Sequence, residues 1–521
     1  MKRKRFQVMT MNFTSGERQF FVLFFNSTLI VVLIGILAFS INESNPSAIF
    51  YFYSFISTLA WTTLIPFIGK ARSENINIPR LIFIVLIIKM VVIAVLEALD
   101  AVYFPESRFL FPGKYDFEYQ YQYTYGFLTG NRVPAILPGG SKVYAYYPPG
   151  VAIIYLMLIS INYGMNSLLY RWYILIFEAG VYYLIWKIAN IPSLQISRSY
   201  REKGVIYAFF SVSFLSAIDF FGKYDIIMLF IVLLGVYFYL QERYFISGAL
   251  IVFAGFIKIY PFVWIAGILM FHIKNAILSA FNLAKKDPSK KGILPNVIRY
   301  IFVKQRQLVK FLLGVVIFGG VILLISIIFE GTRLFELLFS FKFQIAEGAY
   351  AIYMMNFWFY LTYTRIPFIN LVPYCLLLVS LIYYFIWRLK EIDIAFFIKT
   401  TAIVLIFYPA VNSVYINFII PFICIGLLGS IKKVRVLALL EIAAMWVEQL
   451  FNTIFFYTGL LAGELMLSME TFPPAWFVVF RFINLGLFFA ILIMLVLPER
   501  FERWFPIEID SRTIVSERPS L

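Results

Sequence analysis

Cysteine and histidine are almost absent from this sequence, and charged residues are few. Two cysteines and one histidine in 521 residues exclude a disulfide scaffold and a Cys/His metal framework, and they argue against histidine-dependent catalysis. Charged residues make up 14% of the chain, against roughly 25% in a soluble domain. With 62% hydrophobic residues, the composition also excludes a disordered chain and a DNA-binding module.

Long apolar runs fill much of the chain instead. Residues 20–41, 81–96, 311–329 and 477–497 each approach or exceed the length that spans a bilayer. The net charge of +16 is concentrated in short connectors between such runs, which is the positive-inside pattern. We therefore predict an all-α polytopic membrane protein, a single transmembrane domain with about fourteen membrane segments and both termini in the cytoplasm.

Connecting segments divide this predicted bundle. They are an external loop with a juxtamembrane helix at 100–166, a basic cytoplasmic connector at 274–310, a second external segment at 330–369 and a cytoplasmic tail at 498–521. Residues 149–161 are short enough to dip into the outer face rather than cross it, and the sequence leaves both alternatives open. Two short apolar runs, 245–257 and 261–273, predict a half-length hairpin with its tip toward the outer face.

Two carboxylates stand two residues apart in the first external loop, Asp116 and Glu118. A carboxylate at a dry membrane interface can act as a general base, because partial burial raises its pKa toward the working pH. Solvated loop acids are the alternative, and spacing alone does not decide. A divalent cation could bind this pair, but nearby lysines favour a reaction without a metal, and we predict no cofactor.

Aromatic and basic residues occupy further external positions. Tyr147 ends a tyrosine-rich stretch that suits sugar rings, although an interfacial aromatic belt also explains it. Lys223 lies in a predicted turn, where it is available to an anion. The alternative is a purely structural turn in which Asp225 is the N-cap of the next helix. Lys258 interrupts the apolar hairpin, which is costly unless it faces a cavity or counter-ion. Phosphate binding or snorkelling to the interface would account for it.

The order and spacing of these motifs resemble a known superfamily over roughly residues 80–275. The residues that carry the resemblance are the pair at 116 and 118, Gly130, the aromatic-proline segment 144–149, the turn 222–225, Arg243, the small-residue helix 248–255 and the segment 258–261. They are similar to the GT-C membrane glycosyltransferases that take sugars from polyprenyl phosphates. Within that superfamily the motifs look similar to those of GPI mannosyltransferase I and of the bacterial polyprenol-phosphate-mannose-dependent mannosyltransferases.

This resemblance implies a GT-C-like bundle whose external loop carries the acidic motif. It implies inverting transfer of a sugar, with mannose favoured, from a polyprenyl-phosphate donor to a hydroxyl of a lipid-linked or glycolipid acceptor. The reaction would take place at the outer or luminal face. The expected partners are that donor, a lipid or glycan acceptor and membrane lipids, without nucleic acid.

The resemblance and the residue chemistry together assign roles to individual side chains. Asp116 is the expected base, with Glu118 orienting the acceptor or Asp116 itself. Lys258 and Lys223 would hold the donor phosphate. The remaining candidates are Tyr260 and Tyr224 as donors or walls of the phosphate site, and Asp225, Tyr147, Asn356 and Asn412 as substrate contacts.

Transport is the competing class of function. A lipid-linked oligosaccharide flippase or polysaccharide exporter would also be basic, aromatic and polytopic. A translocation path needs polar groups at several depths, whereas the candidate residues collect at one face. A non-catalytic scaffold subunit is a third alternative, and the acidic pair and Lys258 speak against it.

Overall fold

The computed structural model describes part of the chain. The continuous stretches are 76–103, 150–155, 167–194, 198–209, 223–286, 305–330, 371–408 and 413–427. Shorter pieces are 22, 124, 135–136, 142–143, 196, 211, 440–441, 443–444, 447, 479, 482–483, 486–487 and 490–491.

These residues are overwhelmingly helical. The principal helices are α1 (Ile78–Tyr103), α2 (Ser167–Ala189), α3 (Arg198–Phe209), α4 (Asp225–Leu240), α5 (Tyr244–Ile257), α6 (Pro261–Lys286), α7 (Arg306–Glu330), α8 (Val372–Tyr383) and α9 (Ile394–Phe407). Short 3-10 helices cover Pro192–Leu194 and Ser413–Phe418, π-helical turns cover Tyr384–Arg388 and Ile423–Leu427, and one α-helical turn covers Ile420–Phe422. The strands described, β1 (Ala135–Ile136) and β2 (Lys142–Val143), pair antiparallel.

Four described helices are long and apolar enough to cross a membrane. Their apolar windows are Ile78–Val95, Leu168–Ala189, Pro261–Asn282 and Arg306–Ile328. Helices α4, α5 and α9 are apolar but shorter, as is α8 with its π-helical turn. This architecture agrees with the predicted all-α membrane protein. The total of about fourteen membrane segments stays a prediction.

Helix α5 lies at the centre of the described bundle, between α4 and α7. Glycines permit the contact with α7. A Cβ at Gly248 would lie 2.2 Å from the Phe311 carbonyl oxygen, and one at Gly314 would lie 2.0 Å from the Phe245 oxygen. Small residues at helix interfaces let backbones approach closely where lipid offers no hydrophobic driving force.

Ion pairs connect α1 to α2 inside the bundle. Lys89 Nζ lies 2.6 Å from Glu178 Oε1, and both side chains are buried. Arg171 Nε lies 2.9 Å from Glu97 Oε1. Charges in apolar helices are tolerated when they pair inside the protein. The charge of Lys89 is therefore balanced by Glu178 on α2, a partner that the sequence pattern does not indicate.

The predicted half-length hairpin is wrong in its second arm. Helix α6 extends from Pro261 to Lys286 and has 26 residues, because Lys274 does not end it. The Lys274 ammonium donates to the carbonyls of Ile386 at 3.1 Å and Leu389 at 2.8 Å. The lysine thus caps the end of the α8 segment, and its charge is accommodated within the apolar window Pro261–Asn282 of α6.

Other predicted segments have varied outcomes. Helices α1 and α7 contain the apolar runs 81–96 and 311–329 expected there. Residues 150–155 are helical and packed on α5, since a Cβ at Gly150 would lie 2.7 Å from the Phe256 oxygen; whether 149–161 crosses the membrane is untested. Helices α6 and α7 enter the predicted connector 274–310 from both ends. The tail 498–521, and 331–369 of the second external segment, lie outside the described residues.

Candidate functional site

Lys258 occupies a tight connection between two helices. Helix α5 ends at Ile257, and Lys258 is its C-cap residue in extended conformation, donating its backbone N–H to the Ala254 carbonyl at 2.9 Å. Helix α6 begins at Pro261, a residue whose fixed φ suits a first helical position. The local sequence therefore stops one helix and starts the next within three residues, and Lys258 is held at their junction.

Asp225 faces this lysine from the start of α4. The Asp225 Oδ1 and Lys258 Nζ atoms are 2.8 Å apart, with side-chain exposures of 7% and 21%. Asp225 is the first residue of α4, where a negative charge is favoured by the helix dipole. The N-cap is Tyr224, without a side-chain capping hydrogen bond, so the alternative of Asp225 as an N-cap is wrong.

Three aromatic rings lie around the Lys258 ammonium. The centroid distances are 4.5 Å to Tyr415, 5.6 Å to Tyr224 and 5.9 Å to Phe418. All are within the range of a cation–π attraction. Lys258 Nζ also donates to the Tyr415 hydroxyl oxygen at 3.3 Å. We call Tyr224, Asp225, Lys258, Tyr260, Tyr415 and Phe418 the Lys258 cluster.

Tyr260 completes the cluster on one side. Its ring stacks on Phe418 with centroids 4.7 Å apart, and it meets Trp264 edge-on at 5.7 Å. The Tyr260 hydroxyl is buried and has no hydrogen-bond partner among the described residues. Burial, with the nearby Asp225 carboxylate, raises the pKa of Tyr260 well above its usual value despite Lys258. Tyr260 therefore remains a hydrogen-bond donor.

Lys258 remains a cation in this environment. Burial by itself disfavours the ammonium, but the Asp225 carboxylate, Tyr415 and Tyr224 outweigh it and raise the pKa of Lys258 well above its usual value. Opposite charge at close range is the physical cause. The cluster therefore combines a permanent positive charge, a partly accessible side chain and a protonated phenol.

The structure describes five of the predicted site residues, and they lie close together in sequence or in space. Tyr224, Asp225, Lys258 and Tyr260 share the cluster. Lys223 is half-buried and directly precedes Tyr224. Asp116, Glu118, Tyr147, Asn356 and Asn412 lie outside the described residues, so their roles stay predictions.

Metal binding at the acidic pair is likewise untested. Within the described ranges, no group of three His, Cys, Asp or Glu residues could hold a metal ion. Asp116 and Glu118 are not part of those ranges. The chemistry available in the Lys258 cluster, an ammonium and phenols, suits an anion rather than a cation.

Sequence reasoning missed Tyr415 and Phe418. Both belong to the 3-10 helix Ser413–Phe418, which begins directly after Asn412, a predicted substrate contact. Their rings stack with centroids 5.1 Å apart. Two aromatic residues three positions apart are a weak signal in a chain with 35 tyrosines and 59 phenylalanines.

A comparison with protein families adds independent information about this region. Residues 144–284 match glycosyltransferase family 87. The match covers less than half of the chain, and it includes Lys258 and Asp225 but neither Asp116 nor Tyr415. It implies glycosyltransferase activity and agrees with the resemblance to membrane glycosyltransferases. No curated protein matches the chain.

Proposed function

We propose that this protein transfers a sugar, with mannose favoured, from a polyprenyl-phosphate donor to a hydroxyl of a lipid-linked or glycolipid acceptor. The observation that carries the proposal is the Lys258 cluster, which lies largely inside the segment similar to glycosyltransferase family 87. Its mostly buried ammonium is paired with one carboxylate and surrounded by tyrosines. The resemblance to GT-C enzymes supports the finer choice of donor.

The chemistry requires stabilisation of a departing phosphate. The acceptor oxygen bonds to the anomeric carbon while the bond from that carbon to the phosphate oxygen breaks, and the electron pair leaves with the polyprenyl phosphate. The configuration at the anomeric carbon inverts. In this proposal Asp116 takes the acceptor proton, with Glu118 orienting the acceptor or Asp116.

Lys258 suits the leaving-group side of that reaction. The phosphodiester donor carries one negative charge, and cleavage increases the charge on the departing phosphate. A fixed ammonium stabilises this later state more than the donor itself, which is the condition for accelerating the reaction. Asp225 keeps the ammonium in place before the donor binds, and Tyr260 offers a phenolic O–H.

Transport is the second candidate, and the ion pairs inside the bundle speak against it. A translocation path needs accessible ionisable groups at several depths. In the described helices Lys89 is buried against Glu178, and Arg171 is buried against Glu97. These pairs tie α1 to α2. They support a structural function for charges at membrane depth.

Transfer of radiolabelled mannose tests the proposal directly. Purified protein in detergent would receive labelled polyprenyl-phosphate mannose and a mixed lipid extract, with and without a chelator. We expect label in a new lipid for the wild type and for Lys285→Ala, an exposed lysine on α6. We expect losses of orders of magnitude for Asp116→Asn and Lys258→Ala.

Each other outcome has a defined meaning. Normal turnover by Asp116→Asn would show that Asp116 is not the catalytic base. Normal turnover by Lys258→Ala would show that Lys258 does not stabilise the departing phosphate. Loss of activity with the chelator would assign a metal to the reaction. Movement of labelled lipid across vesicles, without a new product, would favour transport.

A further inference from the structure

Tyr415 reaches the Lys258 cluster from a distant part of the chain. It lies 157 residues after Lys258 in sequence, outside the segment that matches glycosyltransferase family 87. Even so, its ring is the closest of the three around the ammonium, at 4.5 Å. A site confined to the matched segment would lack the nearest aromatic face of Lys258.

The Tyr415 ring is held by its own neighbours. It stacks on Phe418 at 5.1 Å with 18° between the planes. Phe418 in turn stacks on Tyr260 at 4.7 Å with an angle of 26°. The three rings form a continuous stack beside the Lys258 side chain, so that the position of Tyr415 is fixed independently of Lys258.

The hydroxyl group of Tyr415 has a defined orientation. Its oxygen accepts from Lys258 Nζ at 3.3 Å, so the hydroxyl hydrogen points away from the ammonium. Among the described residues, no acceptor takes this hydrogen. The ammonium and the phenolic O–H can therefore donate to different oxygen atoms of the same external anion.

We propose that Tyr415 is a substrate-binding residue of the phosphate site, which donates its own O–H to the donor phosphate and also orients the Lys258 ammonium. This inference rests on the proposed function for the identity of the ligand. Phosphate oxygens accept several hydrogen bonds, and those from neighbouring cations and hydroxyls are strong. Tyr415 thereby joins the C-terminal half of the chain to the site in the family-matched segment.

Two substitutions separate the hydroxyl from the ring. Tyr415→Phe keeps the stacked ring and removes the donor, whereas Tyr415→Leu removes both. Tyr173→Phe is a matched control, because it deletes a hydroxyl from another half-buried tyrosine, on α2, that donates to the Ile154 carbonyl. The measurements are the dissociation constant of tritiated polyprenyl phosphate and the steady-state constants for polyprenyl-phosphate mannose.

Tyr415→Phe should weaken binding of polyprenyl phosphate by about tenfold, and lower kcat/KM for the donor at least as much. Tyr415→Leu should weaken both further, because Lys258 also loses its nearest ring. Tyr173→Phe should change neither. A purely structural effect would lower the active fraction while KM and the dissociation constant stayed constant.

The outcomes distinguish this inference from the function on which it rests. Unchanged binding and KM in Tyr415→Phe, with an active wild type, would overturn the role of Tyr415 alone. A wild type that binds polyprenyl phosphate but transfers no sugar would overturn the transferase; weaker binding by Tyr415→Phe would then still support the inference. A wild type that does not bind polyprenyl phosphate would overturn both.

Discussion

Asp225 and Lys258 depend on each other because most of each side chain is removed from water. Asp225 is the more enclosed partner, with 7% of its side chain exposed against 21% for Lys258. Removing one member of a buried pair leaves the other charge uncompensated, and the cost follows the burial of the group that remains. The two single substitutions should therefore be unequal.

Lys258→Met leaves a buried carboxylate and should cost about 3 kcal/mol of stability. Asp225→Asn leaves an ammonium that still has aromatic faces and some access to water, and should cost about 1 kcal/mol. The double variant should lose less than the two single variants added together. Unfolding in detergent, followed by tryptophan fluorescence, measures all three. Additive losses would show that the pair has no energetic coupling.

At the level of elements, the close contact between α5 and α7 depends on Gly314 of α7. A Cβ at Gly314 would lie 2.0 Å from the Phe245 oxygen, a backbone atom that cannot move without displacing α5. Gly320 lies on the same helix, and a Cβ there would meet nothing within 4 Å. The two positions have the same residue type and lie on the same helix, but only at Gly314 does a neighbouring backbone atom occupy the space of a Cβ.

Gly314→Ala should separate α5 from α7 and destabilise the protein by about 1–3 kcal/mol, the usual cost of overpacking. Gly320→Ala should be neutral or stabilise the helix by up to about 1 kcal/mol. Unfolding midpoints of the two variants in the same detergent provide the comparison. Equal midpoints would contradict the close approach of α5 and α7.

Lys274 connects α6 to the end of the α8 segment. Its ammonium donates to the carbonyls of Phe385, Ile386 and Leu389, which are unpaired groups at a helix C-terminus unless something caps them. Lys274→Met should speed hydrogen exchange of backbone amides in residues 384–389 on the order of tenfold. Lys285→Met, on the exposed side of α6, should leave their exchange unchanged. The same rate in both variants would refute the cap.

The sequence predicted much of the molecule where the pattern was local. Apolar runs located α1 and α7, and the short segment from 223 to 260 contained five of the candidate residues that the structure describes. Each of these features depends on neighbours within a few helical turns. Composition alone was sufficient to predict a membrane protein.

Features that depend on distant partners could not be predicted. Lys274 looked like the end of a membrane segment, because its carbonyl partners follow more than 100 residues later. Tyr415 had no distinguishing chemistry until folding placed it over Lys258. The same applies to Lys89, whose counter-ion Glu178 is on another helix. Tertiary contact supplied the missing information in all three cases.

The orientation of the whole molecule in the membrane can be tested at α5, which has the Lys258 turn at one end and the turn at Gln241 at the other. Its 14 residues rise about 21 Å, against a hydrocarbon core about 30 Å thick. We therefore predict that the two turns lie on opposite sides of the bilayer midplane, each toward its own membrane face. Ile259, beside Lys258, is 44% exposed, and Gln241 is exposed as well. A site at the outer face requires Ile259 outside and Gln241 inside.

Single cysteines test this orientation in intact cells. In a background with Cys375→Ser and Cys424→Ala, a membrane-impermeant maleimide should label Ile259→Cys before permeabilisation and Gln241→Cys only afterwards. Ile317→Cys, 49% exposed near the middle of the α7 membrane window, should remain unlabelled in both conditions, because the maleimide needs a thiolate in contact with water. Labelling of Gln241→Cys from outside, with Ile259→Cys protected, would place the Lys258 cluster at the cytoplasmic face and exclude a luminal or extracellular transfer reaction.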